Sequence, residues 1–551
     1  MSEIAARLDA FFEHYYRRNP VNATFTGVHA ADARLPDWSE AGLESAEGEM
    51  RGLRDDLNRG ASADEWTRMD QSLAVGHLEI RMAEDAGSHG VRVNPAHWSG
   101  EAVFSLVSLM LRRFAPADIR AESLALRLAG IPDFLGAART TLSRAAPSAW
   151  TERALRECIG ARLLIETGIP LWLRAESVGT TAAERVAGAV AAASAAFGEF
   201  ADWLRARPSA GDDAVACGSD LLTLLVNRGH GSDRAPAELL RDAKERFAVA
   251  RPALELAARE FCGSWDAVDA RLAAARPEAA GFLSSFDRTW SQCRQRAERH
   301  DVVTWPDWPV RYVHQPAWAQ AAAPYLYFLH YRAPAPFDTL PALEYLVPPV
   351  ATADPDRYFR TWNHAAIKLN HVVHHGAIGH HVQNWHACNR SRSRIGKVAA
   401  VDCASRIGMF CGGTMAEGWA CYATALMEEI GFLTPLERLS EQHSRVRFLA
   451  RAIVDLSLHT GEMQLADAAR FYHEQAGLTA VVAANEAARN SIFPGTGLMY
   501  WLGAQGIVDL REEMQRRQGA GFSLKRFHDD LLEHGSIPVP VAARHMMDAP
   551  A

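Results

Sequence analysis

Apolar residues recur at intervals of three and four along most of the first 290 residues. The segments 183–206, AERVAGAVAAASAAFGEFADWLRA, and 236–262, PAELLRDAKERFAVARPALELAAREFC, show this spacing with few helix breakers. Such spacing places the apolar side chains on one face of a helix. The pattern therefore predicts amphipathic helices over most of residues 1–290.

The pattern changes between residues 305 and 355, where ten of the chain's 26 prolines lie. Prolines this dense prevent long helices. Within the segment, the runs VRYVH and YLYFLHY are rich in β-branched and aromatic residues, which favour strands. The sequence predicts short strands and extended loops here, with helix resuming near residue 356 and continuing to the end of the chain.

Together these elements predict a mostly α fold with a small β-containing segment near 305–355. We expect an N-terminal helical lobe over 1–300 and a second lobe over 301–551, with the two lobes forming one continuous structural unit. The 551 residues are 48% hydrophobic and 23% charged, which is ordinary for a globular protein.

The charge and the cysteines exclude several classes of protein. A formal net charge of -8 argues against a nucleic-acid-binding surface. No stretch of about 18 apolar residues predicts a membrane span, and the N-terminal residues lack the pattern of a signal peptide. Eight cysteines without a CxxC pair predict neither a disulfide scaffold nor a zinc ribbon. We expect a cytoplasmic protein that binds neither nucleic acid nor membrane, and a homodimer is compatible with the sequence.

Histidines are concentrated in one short segment, because seven of the chain's 22 lie between His364 and His386. Neutral imidazole is a common metal ligand, and two helical histidines with a carboxylate from another helix form the zincin type of zinc site. The usual HExxH motif is absent, because His375 follows His374 and Ile378 lies four positions on. A histidine-rich helix without a metal is the alternative.

Helix geometry limits which histidines can bind one ion. On a straight helix, His374 and His381 lie about 20° apart in azimuth but about 10 Å apart along the axis. His374 and His380 lie about 240° apart in azimuth. Gly376 and Gly379 would allow the helix to break, since glycine tolerates unwound turns. A break between them would direct His374 and either His380 or His381 to a common point.

A carboxylate for the same ion is suggested by the segment 412–430, GGTMAEGWACYATALMEEI. Glu417 follows a glycine-containing loop and begins a strongly helical run, and Gly418 would let a neighbouring helix approach closely. Taken alone, Glu417 is better explained as a carboxylate near a helix N-terminus, where the helix dipole favours negative charge.

These segments resemble those of one family. HHGAIGHHVQ resembles the HExxPGHHLQ motif of the bacterial domain of unknown function 885 family, and EGWACYATALMEEIGF resembles that family's EGWALYAE segment. The resemblance covers residues 355–551 closely and the N-terminal NPVNATFTGVH more loosely. It implies a zincin-like helical metallopeptidase. By this resemblance the zinc ligands are His374, Glu417 and either His380 or His381, with Fe²⁺ or Mn²⁺ as alternative ions.

The sequence departs from the family motif at the expected general base, where the motif has glutamate and this chain has His375. Loss of a positioned acid–base group lowers a rate by about a hundred- to ten-thousandfold. Three interpretations remain. His375 is itself the base, or it joins His374 and Glu417 in the two-histidine, one-carboxylate set typical of non-haem iron, or the protein binds metal without turnover.

Further residues are predicted to serve the site. Arg451, Asp455 and His459 recur every four residues and share a helix face, which without the resemblance is equally explained by a surface ion-pair ladder. With the resemblance, His459 is predicted to donate to a developing oxyanion, held in its tautomer by Asp455. Tyr500 matches a family tyrosine and would act similarly, the alternative being a core aromatic. Arg489 would bind a substrate carboxylate, or cap its helix.

The predicted function is metal-dependent hydrolysis of an amide or related bond in a small carboxylate-bearing molecule or a short peptide. Metal-activated water would be the nucleophile and His375 the base, while His459 and Tyr500 stabilise the oxyanion. The alternatives are a non-hydrolytic metalloenzyme, such as a non-haem iron oxygenase or a lyase, and a non-catalytic metal-binding protein.

Overall fold

The computed structural model describes residues 3–327, 329–340, 342–351, 354–404 and 406–548. Its described residues are mostly helical with one small sheet, which confirms the predicted fold class. The α-helices before the sheet are α1 (Glu3–Arg18), α2 (Pro20–Thr26), α3 (Glu40–Leu57), α4 (Glu65–Ala86), α5 (Pro95–Leu111), α6 (Ala117–Thr141), α7 (Ser148–Leu163), α8 (Ile169–Ala175), α9 (Thr180–Arg205), α10 (Ser219–Leu224), α11 (Pro236–Cys262), α12 (Trp265–Ala274) and α13 (Phe282–Arg299).

The sheet consists of strands β1 (Val310–His314) and β2 (Leu343–Val347), with α14 (Ala317–Gln320) between them in the chain. The helices after β2 are α15 (Pro355–Thr361), α16 (His364–Ala366), α17 (His380–Asn389), α18 (Arg394–Val398), α19 (Gly413–Glu429), α20 (Pro435–His459), α21 (Leu465–Ala476), α22 (Ala480–Ile492), α23 (Leu498–Gln518), α24 (Leu524–Leu532) and α25 (Val539–Asp548). None of the described helices is long and apolar enough to cross a membrane.

One of the two predicted strand runs is a strand. VRYVH forms β1, which pairs in parallel with β2 so that Val310 lies opposite Leu343. The prediction of a strand in YLYFLHY is wrong for its described residues: 325–327 lie in a 3-10 turn and the turn after it, and 329–331 are irregular. Residue 328 lies outside the described residues. Aromatic residues fit a packed pleated surface but do not create a pairing partner, and the partner of β1 is β2.

The described chain divides into two compact units. The first consists of Met1–Cys217, Gln315–Leu340 and Val401–Met409, and the second of Gly218–His314, Pro341–Ala400 and Phe410–Ala551. The predicted lobes met at residue 300, whereas residues 218–300 belong to the second unit. Helical periodicity is the same on both sides of residue 217, so it does not show which helices pack together.

In the first unit the core surrounds α5, which is buried along almost its whole length. Trp98 and Phe104 of this helix are fully buried in one apolar cluster with Trp172 and Phe197. Burying an aromatic side chain of this kind stabilises a fold by about 1.5–3 kcal/mol. This unit is therefore held by a conventional helical core.

In the second unit, α19 packs closely against α23. A Cβ added to Gly418 would lie 2.5 Å from the Cα of Gly503, so the two backbones meet through glycine. The neighbouring α20 starts with a capping box, in which Thr434 Oγ1 accepts from the Glu437 amide and the Glu437 carboxylate accepts from the Thr434 amide. These helices carry the side chains that surround the histidine segment.

Candidate metal centre

The histidine segment breaks between the two glycines, as the sequence suggested. A π-helix spans Ile367–Gly376, and α17 begins at His380. π-helical turns are rare and often occur at functional sites. A Cβ at Gly379 would overlap the carbonyl oxygen of His374, so the turn requires glycine. The break allows His374 and His380 to face the same point.

Two tryptophans hold the broken turn in place. Trp290 Nε1 donates to the carbonyl of Gly376 at 2.8 Å, and Trp419 Nε1 donates to the carbonyl of Ile378 at 2.8 Å. A buried carbonyl without a partner costs about 1–3 kcal/mol, so the indoles replace hydrogen bonds that the break removes. Trp419 lies two residues after Glu417 on α19, and the same helix therefore supplies the carboxylate and fixes the break.

Three histidines and one glutamate converge at the break. Ligand nitrogens of His374, His375 and His380 all lie within 4.8 Å of one another. Glu417 Oε2 lies 3.4 Å from His374 Nε2 and 3.6 Å from His380 Nε2. Within the described ranges, no second group of histidine, cysteine or acidic residues has its donor atoms this close together.

The spacing fits a divalent ion. Two ligands that each lie about 2.1 Å from a tetrahedral zinc ion are about 3.4 Å apart. The distances from Glu417 to His374 and His380, 3.4 and 3.6 Å, match this edge almost without movement. Two imidazoles and a carboxylate are also the donor types that zinc, iron and manganese accept. The residues present therefore fit the predicted metal.

The cluster is recessed but open to solvent. The side chains of His374 and His380 are 12% and 13% exposed, and that of Glu417 is 26% exposed. These three side chains are therefore partly accessible from solvent.

The protonation states suit a metal-binding site. Burial lowers the pKa of His374, and Glu417 opposes this effect. Burial alone would raise the pKa of Glu417, but its contacts with His374 and His380 hold this pKa well below the usual range. Burial and the two neighbouring imidazoles lower the pKa of His375 well below its ordinary value. Neutral imidazoles and an ionised carboxylate are the forms that bind metal ions.

His375 is oriented by the backbone. Its Nδ1 lies 2.6 Å from the carbonyl oxygen of Asn370 and donates to it. In the neutral ring this makes Nε2 the nitrogen with the lone pair. The rings of His374 and His380 lie 4.7 and 5.2 Å from that of His375, measured between centroids. His375 thus presents an unprotonated nitrogen beside the candidate ligands.

The structure separates His380 from His381. His380 lies beside Glu417, whereas His381 is fully buried, stacks on the ring of Trp308 and donates to its carbonyl at 2.8 Å. The sequence left these two histidines as alternatives, and His380 is the one placed with His374.

Two other histidines of the segment pack in the core. His371 Nδ1 lies 2.6 Å from the hydroxyl of Tyr345, and its ring stacks on Trp362 with 4.1 Å between centroids. His386 is fully buried and donates to the carbonyl of Thr304 at 3.1 Å. The high histidine density therefore serves two purposes, a candidate metal centre and hydrogen bonding within the fold.

Three arginines lie around one glutamate, and one of them, Arg451, is close enough to influence His374. Arg451 pairs with Glu486 at 2.8 Å, and its charge contributes to lowering the pKa of His374. Burial would raise the pKa of Glu486, but Arg451, Arg489 and Arg447 together lower it. Among the described residues, the Arg447 guanidinium has no hydrogen-bond partner. Three guanidiniums against one carboxylate leave a positive region that would attract an anion.

Tyr500 lies within this positive region. Arg489 Nη2 donates to its hydroxyl oxygen at 3.3 Å, and the Arg451 guanidinium lies 4.8 Å from the centre of its ring. The ring also stacks on Phe448, with 5.0 Å between centroids. Arg489 and Tyr500, which the sequence proposed separately, are therefore neighbours.

Asp455 and His459 are placed differently from the prediction. Asp455 is fully buried and accepts from the amides of Gly495 and Gly497 at 2.9 and 2.6 Å, so it orders the turn before α23. Burial raises the pKa of Asp455 to about 7. His459 is also fully buried, and its Nε2 donates to the carbonyl of Asn490 at 2.9 Å. With 0% of its side chain exposed, His459 has no surface on which to meet a substrate.

Arg447 was not among the residues predicted from the sequence. The signal was present, because Arg447 precedes Arg451 by four residues and so extends the same helix face by one turn. Cys421 lies one turn after Glu417 on α19. Burial and Glu417 raise its pKa well above the ordinary value, which keeps the thiol neutral. None of the eight cysteines, all of which lie among the described residues, forms a disulfide bond.

The family assignment follows from the whole sequence. The family of bacterial proteins of unknown function called DUF885 matches residues 20–546. The chain belongs to this family. The match confirms the family suggested by the histidine and EGWA segments, and it extends over nearly the whole chain. No curated protein shows significant sequence similarity to this DUF885 member.

Two solved structures are similar to this DUF885 chain. A candidate lipoprotein of unknown function from Shewanella oneidensis has a TM-score of 0.77 at 21% identity, with 100% of both chains covered. A candidate lipoprotein from Colwellia psychrerythraea has a TM-score of 0.80 at 16% identity, with 99% of both chains covered. At these identities the likeness shows that the fold is shared along the whole chain.

Proposed function

We propose that this DUF885 member is a metal-dependent hydrolase that acts on an amide or related bond of a small carboxylate-bearing molecule or a short peptide. The observation that supports this most strongly is the position of Glu417, 3.4 Å from His374 and 3.6 Å from His380. These are the ligand separations of a tetrahedral site. The partial exposure of the same side chains gives a substrate access to it.

His374, His380 and Glu417 would hold the ion. When bound, zinc would supply Lewis acidity to the scissile carbonyl and to water, and Fe²⁺ or Mn²⁺ are the alternatives.

His375 would move the proton. Because its Nδ1 donates to Asn370, its Nε2 accepts a proton from the attacking water and later returns it to the leaving amine. The family motif has glutamate at this position, and imidazole can perform the same transfer. His375 is therefore proposed as the general base.

The arginine group would bind the substrate's carboxylate. Glu486 supplies one negative charge and already pairs with Arg451, so the positive charges of Arg447 and Arg489 are not balanced by it. Guanidinium binds carboxylates through paired hydrogen bonds. Tyr500, beside Arg489, would donate its hydroxyl proton to the oxyanion that develops at the scissile carbonyl. This arrangement favours substrates with a free carboxylate close to the bond that is cleaved.

A second candidate is a non-hydrolytic metalloenzyme. Two histidines and one carboxylate are also the ligand set of non-haem iron enzymes, and His374, His380 and Glu417 supply that set. The bound ion separates the two candidates, since zinc has no redox chemistry. Iron as the native ion would favour an oxygenase or a lyase.

Metal analysis of untagged protein tests the ligand assignment. His374→Ala, His380→Ala and Glu417→Ala should each lose most of the metal while the helical circular dichroism is retained, because each removes one donor. His381→Ala is the matched control, since its ring faces Trp308, and it should keep the metal. Full occupancy in the His374 and Glu417 variants would refute the site.

Substrate screening tests hydrolysis. Wild-type protein is incubated with N-acyl amino acids and short peptides, and the products are followed by mass spectrometry. Cleavage that stops on chelation and returns with zinc would support the proposal. If the loaded protein cleaves none of these compounds, a non-catalytic metal-binding protein becomes the better explanation.

A further inference from the structure

The first unit contains a second polar site, separate in sequence from the histidine segment. Residues of α1, α4 and α5 line a cavity, and another wall is formed by Cys403, Ala404, Arg406 and Gly408. The cavity volume is about 60 Å³, which has room for a few water molecules or a ligand of a few heavy atoms.

The two guanidiniums in the wall are already neutralised. Arg81 donates to Glu84 at 2.7 Å and to Asp85 at 3.2 Å. Arg406 donates to Glu84 at 2.9 Å. These arginines therefore offer little to an additional anion, because their charge is balanced by carboxylates on α4.

A third carboxylate, that of Glu101, is not balanced in this way. Glu101 lies on α5 and lines the cavity, and its side chain is 9% exposed. Among the described residues it has neither a hydrogen-bond partner nor an ion-pair partner. Burial raises the pKa of Glu101 to about 7, although Arg127 and Arg406 oppose the rise. A buried ionised carboxylate without a partner is costly, so a cation bound in the cavity would stabilise Glu101.

His77 provides a second unsatisfied group in the same wall. It lies on α4, and no hydrogen bond to its ring occurs within the described residues. Burial and the neighbouring Arg81 lower its pKa to about 3, so the ring is neutral and one of its nitrogens is an acceptor. The cavity thus contains two acceptors to which no described residue donates a hydrogen bond.

Aromatic rings complete the wall. Tyr15 and Trp38 both line the cavity. The Tyr15 hydroxyl donates to the carbonyl of Gly408 at 3.0 Å and accepts from Asn22 at 3.1 Å, so its polar atom is satisfied within the protein. The faces of such rings attract cations.

We propose that this cavity binds a small organic cation through a primary ammonium group, paired with Glu101 and hydrogen-bonded to His77. An ammonium has three donors and one positive charge, which match the acceptors and the unbalanced carboxylate. Its short alkyl part would contact Tyr15 and Trp38. A metal ion fits less well, since the described donors close enough to share one are the histidines at the break.

Titration calorimetry with methylammonium chloride at about pH 8 tests the proposal, because Glu101 is then mostly ionised. Wild-type protein should bind saturably, and Glu101→Gln should bind at least tenfold more weakly. At about pH 7, binding should also release protons from Glu101, which is measured by repeating the titration in buffers of different ionisation enthalpy. Glu122→Gln is the control, since Glu122 is an exposed partner of Arg185 and should bind as wild type does.

Further probes identify the ligand chemistry. Methanol is the neutral match for methylammonium and should not bind, and sodium chloride controls for ionic strength. Glycinamide distinguishes the source of the ammonium group, because tighter binding of glycinamide indicates a peptide N-terminus and tighter binding of methylammonium a free amine. Both outcomes retain the ammonium site.

Several outcomes would overturn the proposal. One is that Glu101→Gln, with its helical circular dichroism intact, binds methylammonium as tightly as the wild type does. Another is that the protein binds acetate in preference to methylammonium. A third is that the cavity holds only water in crystals soaked with methylammonium. Absence of saturable heat with folded wild-type protein would equally refute it.

Discussion

At the scale of single residues, His375 decides how a proton would move in the candidate site. Its Nδ1 donates a hydrogen bond to the carbonyl of Asn370, and its ring lies beside the candidate metal ligands. We expect His375→Ala to keep the metal and to lower kcat/KM by about a hundred- to ten-thousandfold, the usual contribution of a positioned base. Metal content and turnover are measured on the same preparation.

The variant His375→Glu is the companion experiment. Because glutamate occupies this position in the family motif, the substitution should restore part of the activity that alanine removes. Metal loss in His375→Ala would instead make His375 a ligand. Near-normal turnover with metal bound would assign the proton to another group, with Glu486 next to be tested.

Glu101 should impose a pH dependence on stability. Its pKa is about 7 in the folded protein against 4.5 ordinarily, so the folded state binds this proton more tightly. The resulting stability is fully present below about pH 4.5 and is lost as the pH rises through about 7. The free energy of unfolding of Glu101→Gln minus that of the wild type should therefore increase by roughly 1–3 kcal/mol from pH 5 to pH 8. Chemical denaturation of both proteins at both pH values measures this quantity. The same value at pH 5 and pH 8 would contradict the raised pKa of Glu101.

The sequence identified most of the candidate ligands but could not choose between His380 and His381. That choice depends on backbone angles at residues 376–379, which no periodic pattern encodes. The family resemblance placed His459 in the site, yet its ring is enclosed and hydrogen-bonded to Asn490. Glu101 gave no sequence signal, because a glutamate on a helix is ordinarily a solvated residue.

At the scale of elements, the contact between α19 and α23 positions Glu417 and Tyr500 on neighbouring helices. Gly418→Ala should separate these helices, because the new Cβ would meet the backbone of Gly503. We expect a loss of about 1–3 kcal/mol in stability, as for other overpacked contacts, together with weaker metal retention.

Gly188→Ala is the control for this substitution. Gly188 lies within α9 and is exposed, and a Cβ there would meet nothing within 4 Å. Alanine should stabilise that helix by up to about 1 kcal/mol. Thermal unfolding and metal content of both variants are compared. A Gly418→Ala protein as stable and as metal-loaded as wild type would show that the helices can separate freely.

Elements with strong periodicity were predictable, and elements that depend on partners were not. The helical segments at 183–206 and 236–262 correspond to α9 (Thr180–Arg205) and α11 (Pro236–Cys262). The run YLYFLHY had the composition of a strand without a strand to pair with. For Ile367–Gly376 the sequence predicted a break in the helix but not the π-helix itself. Its wider turns depend on packing and on contacts such as that of the Trp290 indole with the Gly376 carbonyl.

At the scale of the whole molecule, the metal should contribute to stability. A ligand that binds only the folded state stabilises it by about 2.7 kcal/mol at a hundredfold excess over its Kd. Chelation should therefore lower the melting temperature of the wild type, and zinc should restore it. His374→Ala should show neither effect, because it lacks a ligand. A wild-type melting temperature indifferent to chelation would argue that no ion is bound at His374 and Glu417.

The family and the helical class were predictable at this scale, whereas the division into units was not. The sequence placed a boundary near residue 300, but residues 218–300 belong to the second unit and residues 401–409 to the first. Apolar periodicity reports that a helix has a buried face without reporting which other helix covers it.

This interleaving of chain segments has a consequence for biosynthesis. The last segment of the first unit is residues 401–409. It includes Arg406, which pairs with Glu84, and Gly408, whose carbonyl accepts a hydrogen bond from the Tyr15 hydroxyl. Domains generally fold as they leave the ribosome, amino terminus first. Here nearly 200 further residues after residue 217 must be synthesised before the first unit can complete its cavity wall. During that interval its polar groups stay hydrated, so chaperone dependence should fall sharply once translation passes residue 409.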